Sequence, residues 1–342
     1  MRILIIKLSA IGDVIHSLAF LNAMKKSFPA SKISWVVSEK AFSILEGHPM
    51  LENVFVFKRD KLGKNPLNPI NWMEINRSLK LLFKDIGKIK FDIAVDLQGL
   101  FKSGIITNLV NAEEKIGFAG QRELSSLFLT RKLPKYNYET HAVDRYLSIA
   151  KYLGADIENP GFPLYYNQND YDLFEKILND NKLLGKDIAG IIPGAGWKTK
   201  LWTSHGFSKV VTYLNNKGIK SIIIGSDADK HHASEIISQS GTNPIDFTGK
   251  TSLKVLALLY KKMKMVISTD TGPMHLADAS GIPVISLFGT TAPWRTGPYH
   301  NINNVIRTGI KCSPCFRKNC TNPVCMTEIS PESVIEKINK IL

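Results

Sequence analysis

The sequence predicts an α/β protein of two domains, each a doubly wound parallel sheet with helices on both faces. Three observations carry that expectation. Short apolar runs rich in β-branched residues alternate with longer amphipathic segments, the pattern of βαβ units. The alternation breaks once, near the middle of the chain. A length of 342 residues, at about 150 per domain, suits two such domains.

In chain order, strands are expected at 3–6, 33–37, 54–57 and 93–95, then at 188–192, 222–224, 265–268 and 284–287; residues 15–28 and 253–262 exemplify the helices between them. The break falls at 160–186. There Pro160, Gly161, Pro163 and the polar run from Asn167 to Asp170 interrupt the series before a new strand begins. The domains are therefore drawn at 1–165 and 166–342, with a last helix at about 331–342 that can return to the N-terminal domain. Ligands of doubly wound sheets bind at the carboxyl ends of the strands, so the expected site is a cleft between two facing domains.

Composition excludes several classes. With 44% hydrophobic and 22% charged residues, the chain is neither disordered, collagen-like nor a coiled coil. Lys7, Asp13 and His16 interrupt the apolar start, which reads as a strand and not as a signal peptide or membrane span. Four cysteines, all within 312–325, are too few and too localised for a disulfide-framed fold, which favours a reducing cytoplasm. The net charge is +14, shared almost evenly by the halves: 23 basic and 16 acidic residues in 1–165, 21 and 14 in 166–342. It concentrates in 58–90, which holds nine basic residues, and in 279–327, which holds no acid. A solvated lysine-rich face accounts for this as well as an anionic partner does, whether nucleic acid, a phosphorylated small molecule or a membrane surface.

Three strand-to-helix turns concentrate chemistry. After the first strand, Asp13 sits at the opening of a helix, where a carboxylate both suits the helix dipole and can accept a proton from an attacking hydroxyl. After the strand at 265–268 come Asp270, Thr271, Gly272, Pro273 and His275; hydroxyl and backbone N–H groups at a helix start form a ready pyrophosphate site. A well-capped helix with His275 bonded inside it is the structural alternative. After the strand at 188–192, Gly194, Ala195 and Gly196 let the backbone approach a phosphate, and Lys200 can neutralise charge growing on a leaving group. Neither a P-loop nor a dinucleotide fingerprint is present.

Taken together, residues 7–16, 96–103, 193–202 and 268–279 resemble the bacterial lipopolysaccharide heptosyltransferase family, in the expected order over nearly the whole chain. The resemblance implies a GT-B arrangement of two Rossmann-like domains: an N-terminal one that binds the acceptor and a C-terminal one that binds the ADP-sugar. Residues 91–96, 121–128 and 141–145 are most similar to heptosyltransferase I, which transfers L-glycero-D-manno-heptose from ADP-heptose to the first Kdo of Kdo-lipid A. It further implies that Asp13 is the catalytic base of an inverting displacement and that Lys200 binds the donor phosphates. Asp270, Thr271, Gly272 and His275 would hold heptose and pyrophosphate, Asp229 the ribose, and the backbone around Thr251 the adenine edge. Arg59, Lys61, Lys64 and Arg122 would face the acceptor's anionic groups. The implied enzyme needs no cofactor beyond its donor substrate, binds no nucleic acid, and works in the cytoplasm at the inner face of the inner membrane. Ala10 and Thr203 depart from the family pattern, at positions where Ser and Pro are common. The cysteine cluster is more typical of heptosyltransferase II, which keeps that enzyme and other sugar acceptors open.

Cys312, Cys315, Cys320 and Cys325 have the spacing C-x2-C-x4-C-x4-C. Thiolates so close can converge on a metal, but the x4 gaps and Pro323 do not match a common zinc-finger spacing. The reading therefore assigns no metal and prefers a loop packed by thiols or partly disulfide-bonded. The rival from another class, a basic nucleotide- or nucleic-acid-binding module with a Cys-rich finger, requires aromatics interleaved with the basic residues, and leaves Asp13 and His275 without a role.

Overall fold

The computed structural model describes residues 1–58 and 69–342. The chain divides into two compact units, Met1–Tyr165 and Tyr166–Leu342.

The first unit contains strands β1 (Arg2–Ile6), β2 (Lys32–Ser38), β3 (Asn53–Phe57), β4 (Phe91–Asp96), β5 (Ala112–Phe118) and β6 (Arg131–Leu133). Its helices are α1 (Ile11–Ser27), α2 (Glu39–Leu45), α3 (Pro69–Ile86), α4 (Phe101–Leu109) and α5 (Ala142–Tyr152). All strand pairs are parallel, in the order β3-β2-β1-β4-β5-β6. The chain thus builds outward from β1 in one direction, then returns to β4 and builds outward in the other. The crevice between β1 and β4 is the topological switch point. β1 is buried from Ile3 to Ile6 because helices cover both faces of the sheet, so its sequence is a continuous apolar run. Leu4, Ile6, Val36, Phe57, Phe91 and Ile106 form one of its cores.

The second unit repeats the plan. Its strands are β7 (Ile188–Ile192), β8 (Lys220–Ile223), β9 (Ile245–Asp246), β10 (Met265–Thr269), β11 (Val284–Leu287) and β12 (Val305–Ile306). Its helices are α6 (Gln168–Asp180), α7 (Ser204–Asn216), α8 (Lys230–Ser240), α9 (Leu253–Tyr260), α10 (Gly272–Ala279), α11 (Pro293–Thr296), α12 (Val324–Thr327) and α13 (Pro331–Ile341). The all-parallel order β12-β11-β10-β7-β8-β9 puts the switch point between β7 and β10.

Three differences from the sequence expectation have local causes. β5, β6, β9 and β12 are additional strands: β5 begins Ala-Glu-Glu-Lys, and β9 and β12 have two residues each, so none shows an apolar run. α1 begins at Ile11 because the Asp13 carboxylate accepts the Ala10 N–H at 3.0 Å and closes the first turn. The polar run 167–170 is a helix start and not a linker: Asn167 accepts from Asp170 N–H and Asp170 accepts from Asn167 N–H, both at 2.9 Å, a reciprocal capping box. Within the second unit, α13 packs on α7 and β11, with Val334 and Ile338 in the core.

Candidate active site

In the first unit, the segment leaving β1 is pinned from several sides. Lys7 N–H donates to Val36 O at 3.2 Å, and the Trp35 indole donates to Lys7 O at 3.1 Å. Gln98, just beyond β4, accepts the N–H groups of both Leu8 and Ser9 at 3.0 Å. Gln98 is itself set by Asp96, whose carboxylate accepts from Gln98 N–H (2.9 Å), Gly99 N–H (3.0 Å) and Ser103 Oγ (2.9 Å). Gly99, at φ +67°, supplies the left-handed turn after which the chain brings Ser103 back to the same carboxylate. Burial pushes the Asp96 carboxyl up, against the pull of those three donors and of Lys7.

This rigid turn delivers Asp13 to the carboxyl end of β1 with its side chain 36% exposed. One oxygen holds Ala10 N–H, and the other lies 4.0 Å from the Lys7 ammonium. Asp13 therefore caps the helix and still presents a partly open carboxylate at the switch point. Lys7 is buried, donating to Leu97 O at 3.1 Å and to the Tyr146 hydroxyl at 2.7 Å. Burial pulls its ammonium down, but the Tyr146 oxygen and the carboxylates of Asp13 and Asp96 outweigh this and hold it above the ordinary lysine value.

In the second unit, Asp270 follows β10 directly and is 6% exposed. Its Oδ2 accepts from Thr291 Oγ1 at 2.6 Å and pairs with Lys200 Nζ at 2.6 Å, while His275 Nε2 lies 3.9 Å from Oδ1. Lys200 also stands 4.5 Å above the Trp197 ring. The glycine loop is tied to the same place, since Thr269 Oγ1 donates to Gly194 O at 2.6 Å. Thr271 is the N-cap of α10, whose first turn contains Pro273, so N–H groups and the positive end of the helix dipole sit beside Asp270. Two strands further along, Asp229 holds both Ser226 N–H and Ser226 Oγ at 2.7 Å. A Cβ on Gly194 would lie 2.3 Å from Asp229 Oδ1, so glycine is what lets this carboxylate approach the loop. Thr251 precedes Ser252, the N-cap of α9.

Of the residues named from the sequence, Lys200 and His275 meet around the buried Asp270 carboxylate, Gly194 is tied to the adjoining Thr269, and Ala195, Gly196, Thr271 and Gly272 lie on the loops that carry them. Arg122 is exposed at the start of the short helical turn after β5. Arg59, Lys61 and Lys64 lie outside the described residues. Sequence reading missed Lys7, Tyr146, Gln98 and Thr291. Thr291 was within reach of the same rule that found Asp270, because it follows β11 at the same end of the sheet; Tyr146 has no local signal.

The cysteines are all free thiols: Cys312 and Cys320 exposed, Cys315 half-buried, Cys325 buried. No disulfide joins them. Among the described residues, no three His, Cys, Asp or Glu side chains are grouped to hold a metal. Their segment adjoins the lysine loop, with Thr199 Oγ1 donating to Arg317 O at 2.9 Å and Lys318 Nζ 5.2 Å from the Trp197 ring.

Residues 79–325 match the family described as Glycosyltransferase family 9 (heptosyltransferase), which is well over half of the chain. The chain belongs to glycosyltransferase family 9. This family 9 glycosyltransferase is 28% identical to the lipopolysaccharide core heptosyltransferase OpsX of Haemophilus influenzae, over 88% of this chain and 83% of that one. It is 27% identical to lipopolysaccharide heptosyltransferase 1 of Pseudomonas aeruginosa, over 100% of this chain and 98% of the relative. In fold it is similar to the Escherichia coli heptosyltransferase WaaC, solved with ADP and with ADP-2-deoxy-2-fluoro heptose. The two structures give TM-scores of 0.74 and 0.72 at 24% identity, covering all of both chains. The two parallel six-stranded sheets are those of a GT-B enzyme.

Proposed function

We propose that this enzyme transfers L-glycero-D-manno-heptose from ADP-heptose to the Kdo of Kdo-lipid A, the reaction of heptosyltransferase I. The observation that carries the reading is the placement of complementary chemistry at the two switch points: an open carboxylate, Asp13, after β1, and the Lys200–Asp270–His275 cluster after β7 and β10.

In this reading Asp13 accepts the proton of the acceptor hydroxyl as its oxygen attacks the anomeric carbon. The bond from that carbon to the diphosphate breaks in the same displacement, inverting the centre, and ADP leaves with the electron pair. Lys200 and the N–H groups at the start of α10, with Thr271 and Gly272, meet the negative charge that grows on the departing diphosphate. Preorganised donors stabilise that charge most where water is excluded, and Lys200 is fixed by Asp270 and Trp197 beforehand. Asp270 and His275 orient the heptose, Asp229 binds the ribose, and the backbone near Thr251 reads the adenine edge. The basic residues Arg59, Lys61, Lys64 and Arg122 receive the acceptor's phosphates and carboxylates. No metal or cofactor takes part beyond the donor. The acceptor is a lipid, so the enzyme works peripherally at the cytoplasmic face of the inner membrane; no described helix is long and apolar enough to cross it.

The names of the Haemophilus and Pseudomonas relatives and the ligands of the Escherichia structures support an ADP-heptose donor. The cysteine cluster favours a second acceptor reading, that of heptosyltransferase II. Thermal-shift titration tests the donor half: ADP and ADP-heptose should raise the melting temperature, whereas UDP, GDP and short oligonucleotides should not. Stabilisation by oligonucleotides and not by ADP would refute it.

A further inference from the structure

Lys7 is a heavily committed charge of the first unit. The residue is 3% exposed, and removing an ammonium from water is costly unless opposite charge accompanies it. The Leu97 carbonyl at 3.1 Å and the Tyr146 hydroxyl at 2.7 Å take two of its three protons but carry no net charge in their ordinary states. Charge compensation comes from two carboxylates. Asp96 lies on the buried side, with its oxygens already holding Gln98, Gly99 and Ser103. Asp13 lies on the open side, its Oδ1 4.0 Å from Lys7 Nζ. The backbone of Lys7 is locked at both its N–H and its carbonyl, by Val36 and Trp35.

We infer that Lys7 is a positioning residue for Asp13: its buried ammonium, aimed by Tyr146 and Leu97, fixes Oδ1 while Ala10 N–H fixes Oδ2, so that the carboxylate stays oriented at the mouth of the β1/β4 crevice. The inference rests on the proposed role of Asp13 as base. Two fixed points define the plane of a carboxylate, where one would leave it free to turn about its Cβ–Cγ bond. A separation of 4.0 Å is attractive yet longer than a hydrogen bond, so the lone pairs of Oδ1 stay available to an incoming hydroxyl. Lys7 itself does not touch the acceptor, which distinguishes it from Asp13. The groups that face it are Tyr146 from α5, Asp96 from β4 and Asp13 from α1, with Arg145 acting on Tyr146.

The test is a kinetic double-mutant cycle. Lys7→Gln keeps hydrogen-bonding capacity and removes the charge; it should lower kcat about 30-fold with the KM values for ADP-heptose and acceptor within about threefold, since misplacing a catalytic group slows the chemical step alone. Lys7→Arg should recover a substantial part of that loss through its charge. The double variant Lys7→Gln/Asp13→Asn should be no slower than Asp13→Asn alone, because Lys7 acts only through Asp13. Multiplying losses in the double variant, or Lys7→Arg no better than Lys7→Gln, would overturn the inference and leave Lys7 a scaffold residue. If Lys7→Gln does not fold, as circular dichroism will show, the cycle is run with Lys7→Arg, whose displaced charge must register as the same non-additivity. A fully active Asp13→Asn would sink the assignment of the base itself, an outcome separate from failure of the Lys7 coupling in an enzyme that Asp13→Asn does inactivate.

Discussion

Lys200 Nζ lies 2.6 Å from Asp270 Oδ2, a contact between the loop after β7 and the turn after β10 that joins the two sides of the second switch point. Both groups are largely withdrawn from water, so the pair is worth more as geometry than as stability: burying charges costs much of what their attraction returns.

Lys200→Met should therefore do two things. It should weaken ADP binding, read by calorimetric titration, by roughly tenfold or more as a charged phosphate contact is lost. It should also destabilise the fold by about 3 kcal/mol, since Asp270 is left buried without its cation. Adding Asp270→Asn should return most of the stability in a denaturant melt and none of the turnover. Recovery of turnover in the double variant would show the pair to be structural.

Gly194→Ala places a Cβ 2.3 Å from Asp229 Oδ1, inside any permitted contact. Asp229 must then swing away from Ser226. ADP affinity should fall about tenfold, the cost of roughly one charge-assisted hydrogen bond, while the melting temperature changes little. An unchanged ADP titration would remove Asp229 from the nucleotide site.

Transfer should persist in excess EDTA. A diphosphate-bound magnesium ion needs one or two free carboxylates, and Asp270 Oδ2 is already shared by Lys200 and Thr291. Loss of activity in EDTA that magnesium restores, without any change in the circular dichroism spectrum, would make Asp270 a metal ligand.

Alkylation should grade the cysteines by burial. The reactive species is the thiolate, and burial pushes the Cys325 thiol up while enclosing it. Iodoacetamide followed by peptide mass spectrometry should find Cys312 and Cys320 modified first and Cys325 last. Early modification of Cys325 would mean that the segment opens.

The α/β class with parallel sheets was legible because buried parallel strands write themselves as apolar runs. The candidate residues Asp13, Lys200 and Asp270 were legible for a related reason: each lies in the loop or first helical turn after such a run, and in doubly wound sheets those positions face the ligand crevice. What could not be read was partnership across the chain. Lys7 meets Tyr146 over a separation of 139 residues, and no local pattern in α5 announces a hydroxyl that accepts from a buried ammonium. Gln98 is a further case, since only the adjacency of β1 and β4 brings its side chain to the N–H groups of Leu8 and Ser9. Thr203, a departure from the family pattern, has an ordinary local role: its Oγ1 accepts Gly206 N–H at 3.0 Å and caps α7.

Mass spectrometry of the product reads acceptor and donor together. The enzyme is incubated with ADP-heptose and, in parallel, with Kdo-lipid A or with Kdo-lipid A already carrying one heptose. A heptosyltransferase I adds a single heptose to Kdo-lipid A with stoichiometric release of ADP, and none to the heptosylated acceptor. Addition only to the heptosylated acceptor, or no consumption of ADP-heptose with either, would contradict the proposed function.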